Sequence, residues 1–376
     1  MKKKVLIFTY TNVNMDSIIN HQIVWLKDEY ELYTVCQVPD ERYDINYHRY
    51  QDDPFHKRVL RYPLLKLKQY ESFIWSKPNR QIASALSKVK YDLIIVHHLR
   101  LLPIAFEIAQ GAKVILYAHE YYTEVYDDSL LWRFVMKDYY NWLAENYLTK
   151  CDMAITVNES LQNFYAENFR IPAAFIHNAV DYAPIAPSPT DFDNIRMIHH
   201  GLAGTSRKLE LMIDMVQYLD ERFSLTLILV EHSTISRMYL NKLKKKAKDD
   251  PRVYFLDPLP FSEIIPFSNS FDIGLFFMPP TNLNEEYSLA HKLFQYIQAR
   301  LVLAISPLPE MKKLVETYDL GVCSDDYEPA SLARKLNNLT REEIDYYKSQ
   351  SHKHAKELGA ETNRDKFIEL IHRVLN

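Results

Sequence analysis

Short apolar runs alternate with stretches of helical period along this chain, and the alternation is interrupted once and then begins again. In the first half the runs Val5–Thr9, Leu32–Val35, Leu93–Val96, Val114–Tyr117, Ala154–Val157 and Ala174–His177 read as strands. Helical patterns at Ser17–Asp28, Pro78–Val89 and Leu102–Ala109 lie between them. Uninterrupted apolar strands joined by helices predict a parallel sheet covered on both faces, with a ligand crevice outside the carboxyl ends of the strands. The segment Asp181–Asp193 then brings Pro184, Pro187 and Pro189 with little periodicity and reads as a linker. After it come strands at Arg196–His200, Leu225–Val230, Val253–Leu256 and Asp272–Phe277, and helices at Arg207–Leu219 and Thr234–Lys248.

The predicted organisation is an N-terminal domain over 1–182, a linker over 183–194, a C-terminal domain over 195–345 and a helical tail over 346–376. A length of 376 residues suits two domains. The tail carries Ile368, Leu370, Ile371 and Leu375 as an apolar stripe.

Composition narrows the function. A net charge of −4 gives no general case for nucleic acid. Cys36, Cys151 and Cys323 are widely spaced, which argues against a disulfide framework or a zinc site and for a reducing, cytoplasmic setting. The apolar run after Met1-Lys-Lys-Lys4 is too short for a signal peptide, and no run is long enough to span a membrane. With 6 glycines in the whole chain, a Gly-rich dinucleotide fingerprint is absent, so a phosphate site must rely on one or two glycines and on side chains.

Three stretches carry candidate chemistry. The first, Asn284–Glu310, passes from loop to helix to buried strand. Ser288 stands where it could cap the helix, and Lys292 lies one turn in, within reach of an anion at the helix start. The second is His199-His-Gly-Leu-Ala-Gly-Thr-Ser-Arg-Lys-Leu-Glu210. Gly201 and Gly204 let backbone approach a ligand, and Arg207 at the helix entrance suits a forked contact with a diphosphate. The third, Val114–Glu124, runs a strand into His119 and Glu120, with His97 and His98 closing another strand. The Asp191-Phe-Asp193 triplet matches an Asp-x-Asp metal motif but sits in the linker and is set aside; Lys242–Lys246 reads as a solvated face. Residues 57–80 mix Lys and Arg with Leu, Tyr, Phe and Trp75. They read either as a surface for an anionic bilayer or as a solvated helix with a buried apolar face.

These stretches together resemble the GT-B glycosyltransferases, and among them glycosyltransferase family 4. Arg207-Lys-Leu-Glu210 is similar to the family's Lys/Arg-Gly-Leu-Glu, and Lys292-Leu-Phe-Gln-Tyr296 to its Lys-Leu-Phe-Glu-Tyr helix. Tyr117-Ala-His-Glu120 resembles the strand ending in His-Glu, and Asn178-Ala-Val-Asp181 the phrase that closes the first domain. The resemblance implies two Rossmann-like α/β domains facing each other across a cleft, with a C-terminal helix packing back toward the N-terminal domain.

It further implies a nucleoside-diphosphate sugar as donor, no metal and no other cofactor. Arg207 and Lys292 would hold the diphosphate, and Tyr287, Ser288, Leu289 and Ala290 would offer backbone N–H groups. Gly201 and Gly204 would admit the nucleotide, Gln295 would bond a ribose hydroxyl, and His119, with Glu120 beside it, would touch the sugar. The acceptor, a glycan or a lipid-linked group of a bacterial cell envelope, would enter on the first-domain side. Transfer with retention would let a donor phosphate oxygen take the acceptor's proton.

Two departures stand out. The family's glutamate pair falls at Tyr287 and Gln295, with Glu286 one place off, and the loop Thr9–Asp16 lacks the usual glycines. An epimerase on the same fold, using His119 and Glu120, and a non-catalytic nucleotide-sugar-binding or scaffold protein are the rival readings.

Overall fold

The computed structural model describes residues 2–124, 129–130 and 132–376. The chain forms two compact units. One comprises Met1–His177, Asn282–Asn284 and Asn363–Asn376; the other comprises Asn178–Thr281 and Glu285–Thr362. These divide the chain differently from the boundaries at 182, 194 and 345. Residues 183–194 pack within the second unit, where Thr190 O accepts from Arg341 Nη1 at 3.2 Å and Ser188 Oγ donates to Asn269 O.

The first unit is built on a seven-stranded parallel sheet. Its strands are β1 (Lys4–Phe8), β2 (Glu31–Cys36), β3 (Asn46–Arg49), β4 (Leu93–Val96), β5 (Lys113–Ala118), β6 (Met153–Thr156) and β7 (Ala173–Phe175). They lie in the order β3-β2-β1-β4-β5-β6-β7. Strands β1 and β4 (Val-Leu-Ile-Phe and Leu-Ile-Ile-Val) are buried because helices cover both faces. The helix Ser17–Leu26 follows β1 and is capped by Asp16, whose side chain accepts from Ile19 N–H at 3.2 Å. Val5, Ile7, Ile95, Ile115 and Ile155 form one core face, to which the helix Ala360–Leu375 adds Phe367 and Ile371, both fully buried. Each such side chain contributes roughly 1.5–3 kcal/mol of burial. The C-terminal helix thus packs on the N-terminal sheet.

The second unit holds a six-stranded parallel sheet: β8 (Ile195–Leu202), β9 (Phe223–Val230), β10 (Val253–Leu256), β11 (Ile273–Phe276), β12 (Val302–Ile305) and β13 (Gly321–Cys323). The order is β10-β9-β8-β11-β12-β13. Gly321 has φ +154°, and a Cβ there would lie 2.1 Å from Leu303 O. Only glycine lets β13 pair with β12. Under the sheet, Lys348 Nζ lies 3.2 Å from Asp272 Oδ1, and both side chains are almost fully buried. Asp272 Oδ2 also accepts from Arg196 N–H, and Lys348 donates to Thr190 Oγ1. Buried Arg300 donates to the carbonyls of Ile297, Gln298 and Ala183.

Candidate active site

In the second unit β8 delivers Gly201 at its carboxyl end with φ +139°. A Cβ on Gly201 would lie 2.5 Å from Lys292 Cε and 2.8 Å from its Nζ. The lysine therefore runs directly across the glycine, and the spacing between these two distant stretches has a steric cause. Lys292 is the second residue of the helix His291–Gln298, not one turn in. Ala290 at the N-cap supplies no side-chain acceptor. Ser288 does not cap this helix, because its Oγ donates to Glu285 O at 2.9 Å and closes the preceding turn.

Arg207 also differs from expectation. It closes the short turn Thr205–Arg207 rather than opening a helix; Lys208 follows with φ +48°, and the helix begins at Glu210. Its Nη1 lies 3.7 Å from Met278 Sδ, and a Cβ on Gly204 would meet its Cγ only at an ordinary contact distance of 3.5 Å. Burial, and then the Arg207 charge nearby, lower the Lys292 pKa to about 8. Neither cation has a carboxylate partner among the described residues. Two cations without a carboxylate partner among the described residues, beside a helix start with no side-chain cap, are an arrangement that can take an anion.

Around it, His199 Nδ1–H donates to Leu275 O at 2.8 Å, and burial and the Lys292 charge hold the imidazole neutral. The same two causes push His200 down to about 3, and its buried Nε2 has no partner among the described residues. Tyr287, Ser288 and Leu289 form the loop before the helix, with Leu289 packed into the core. Gln295 is likewise buried.

The first unit contains a cavity of about 660 Å³ at the carboxyl ends of β1, β4 and β5. Thr9, Asp16, His97, His98, His119 and Glu120 line it, together with Tyr10, Arg58, Arg100 and Trp132. His119 Nε2 lies 3.1 Å from His97 Nδ1, and His97 Nε2 lies 2.8 Å from Gln22 Oε1. The amide oxygen can only accept, so His97 carries its proton on Nε2 and accepts from His119 Nε2–H. That leaves His119 Nδ1 as an acceptor. Burial keeps both imidazoles neutral, although the Asp16 charge acts in the opposite sense on His119. Burial also raises the Glu120 carboxyl, and Tyr165 Oη–H donates to the Glu120 carbonyl at 2.9 Å. His119 and Glu120 thus reach one cavity, as the strand ending predicts. Arg58, Arg100 and Trp132 have no motif to announce them.

Asp191 is occupied locally, where its Oδ1 accepts from Asp193 N–H at 3.1 Å. Among the described residues no cluster of three or more His, Cys, Asp or Glu side chains is arranged to hold a metal. No described helix is long and apolar enough to cross a membrane.

Residues 27–183 match the sequence profile described as Glycosyltransferase Family 4. Comparison with curated proteins gives no match. Among solved structures the fold is similar to HepE of Anabaena in complex with UDP and glucose: TM-score 0.72 and 13% identity, covering 98% of this chain and 99% of that one. It is also similar to sucrose-phosphate synthase of Thermosynechococcus elongatus, with TM-score 0.72 and 10% identity over 99% of each chain. A third neighbour is a UDP-forming trehalose-phosphate synthase of Burkholderia xenovorans, with TM-score 0.72 and 11% identity over 100% of each chain.

Proposed function

We propose that this chain, a glycosyltransferase of GT-B fold with a family 4 segment, moves a sugar from a UDP-linked donor to an acceptor hydroxyl. The observation that carries the reading is the pair Arg207 and Lys292, the lysine lying across Gly201 at the start of its helix, with no carboxylate partner for either among the described residues. A diphosphate supplies the missing charge. In the transition state negative charge grows on the departing UDP, and fixed cations lower its energy most. The two side chains take the part a metal takes elsewhere, and backbone N–H groups at the start of the helix add to them.

His119, neutral and with Nδ1 open, accepts a hydrogen bond from a sugar hydroxyl. The acceptor is a glycan or lipid-linked group entering the first-unit cavity. Transfer retains the anomeric configuration, with a donor phosphate oxygen taking the acceptor's proton. Three free cysteines support a reducing, cytoplasmic setting.

The test is a thermal-shift series over nucleoside diphosphates and their sugars, with EDTA present. UDP or a UDP-sugar at a hundred times its Kd is expected to stabilise the chain by about 2.7 kcal/mol. A shift with another base would replace UDP in this reading. No shift with any member would overturn it and leave the scaffold. Conversion of the donor sugar without acceptor would establish the epimerase instead.

A peripheral membrane contact is part of the same proposal. Leu60 and Leu67 are 77% and 68% exposed, and Phe55 and Phe134 are exposed on the same unit. Lys57, Lys66 and Lys68 are exposed beside them, and Lys66 Nζ donates to Phe134 O. Elsewhere in 57–80 the apolar face turns inward, since Tyr70, Phe73 and Ile74 are buried. Flotation with phosphatidylglycerol vesicles should retain the wild type at low salt, whereas Leu60→Glu/Leu67→Glu should stay in solution. Equal behaviour of the two proteins would remove the membrane from the account.

A further inference from the structure

The geometry points to an acceptor that carries an oxyanion, a phosphate ester or a carboxylate, seated against Arg58, Arg100 and Trp132 in the first-unit cavity. The inference rests on reading the chain as a sugar transferase whose acceptor enters that cavity.

Arg58 Nη1 lies 3.0 Å and Arg100 Nη2 3.1 Å from the same oxygen, Asp52 Oδ2. One carboxylate oxygen therefore serves two guanidinium groups. Arg61 pairs with Asp53 at 3.4 Å, so three guanidiniums meet two carboxylates and one positive charge is left over. Arg100 has five N–H donors, and the bond to Asp52 is the only one its guanidinium makes among the described residues. It cannot shed its charge, its side chain is only 23% exposed, and it lines the cavity with its guanidinium over the Tyr10 ring.

Trp132 supplies the second observation. It is 5% exposed and lines the same cavity, and its Nε1–H has no partner among the described residues. Indole and guanidinium only donate, so these three side chains present donors and no acceptor. A neutral hydroxyl can accept from one or two of them. An oxyanion accepts from all and also cancels the surplus charge. Asp16 and Glu120 line the same cavity; the Asp16 charge acts on His119, and the Arg100 charge acts on His98.

The test uses the full chain with its UDP-sugar and acceptors in charge pairs: glucose 6-phosphate against glucose, and glucuronate against glucose. At least one anionic member is expected to exceed its neutral partner in kcat/KM by tenfold or more. Arg100→Gln and Trp132→Phe should each remove most of that preference while leaving UDP affinity unchanged. Trp132→Phe keeps an aromatic ring and deletes the donor, and an unchanged melting temperature and UDP affinity show that the variant is folded.

Equal use of charged and neutral members, or a preference that survives both substitutions, would overturn the inference. So would a chain that binds UDP yet neither uses nor binds any anionic acceptor. Failure to bind UDP is a different result, and it defeats the proposed function itself. The two pairs separate phosphate from carboxylate.

Discussion

Replacing Lys292 with Ala is expected to weaken UDP binding by about 1.5–3 kcal/mol, the range for a hydrogen bond to a charged group. Transfer should fall further, by about 10²–10³-fold, because the charge on the leaving diphosphate is greatest in the transition state. Arg207→Ala should cost a similar amount. The two losses should not add fully, because each cation acts on the other and Lys292 titrates low partly because of Arg207.

The same pair predicts a pH dependence whose sign follows from the depressed pKa. Below about 8, Lys292 is already protonated in the free protein, and affinity for UDP should be flat. Bound diphosphate favours the charged form and raises the pKa in the complex. Above about 8, binding must therefore take up a proton, and affinity should fall by up to tenfold per pH unit. Calorimetry in buffers of different ionisation enthalpy reads the proton uptake directly. Wild-type affinity in both variants, or a flat profile between about pH 8 and 9.5, would show that these cations do not hold the diphosphate.

Lys348→Ala should produce the largest loss of stability, about 3–5 kcal/mol, because it strands the Asp272 carboxylate in the interior. Only 2% of the Lys348 side chain and 1% of the Asp272 side chain are exposed, and the lysine also holds Thr190. Removing both charges, as in Lys348→Met with Asp272→Asn, should recover much of the loss, since the penalty lies in leaving one charge alone. Urea unfolding of the three proteins decides it. A loss below about 1 kcal/mol for the single variant would mean that water reaches Asp272, and the burial argument would fail.

The strands whose side chains are apolar throughout were legible in the sequence. Leu93–Val96 and Val253–Leu256 match the observed elements residue for residue. The edge strand Asn46–Arg49 was not legible, because Asn-Tyr-His-Arg packs against a neighbour on one side only and has no apolar pattern to display. Gly321–Cys323 is too short to show a period, and its glycine answers to Leu303, eighteen positions earlier in the chain.

At the site, Lys292 and Arg207 could be read as cations near helix starts. Their local backbone could not, since Lys208 adopts a left-handed conformation with no glycine to signal it. Arg58, Arg100 and Trp132 come from separate helices and loops and carry no shared spacing. Their common cavity exists only once the sheet is formed.

The helix Ala360–Leu375 begins among residues of the second unit and ends in the core of the first. Phe367 and Ile371 fill that core, yet they follow the entire second unit in the chain. During synthesis the first unit emerges early with part of its apolar interior still uncovered, and it can close only after the second has been made. Its final closure is a contact of very long sequence separation, the kind that forms slowly. A nascent chain halted before residue 363 should therefore hold a loosened first sheet and recruit chaperones until the last helix arrives.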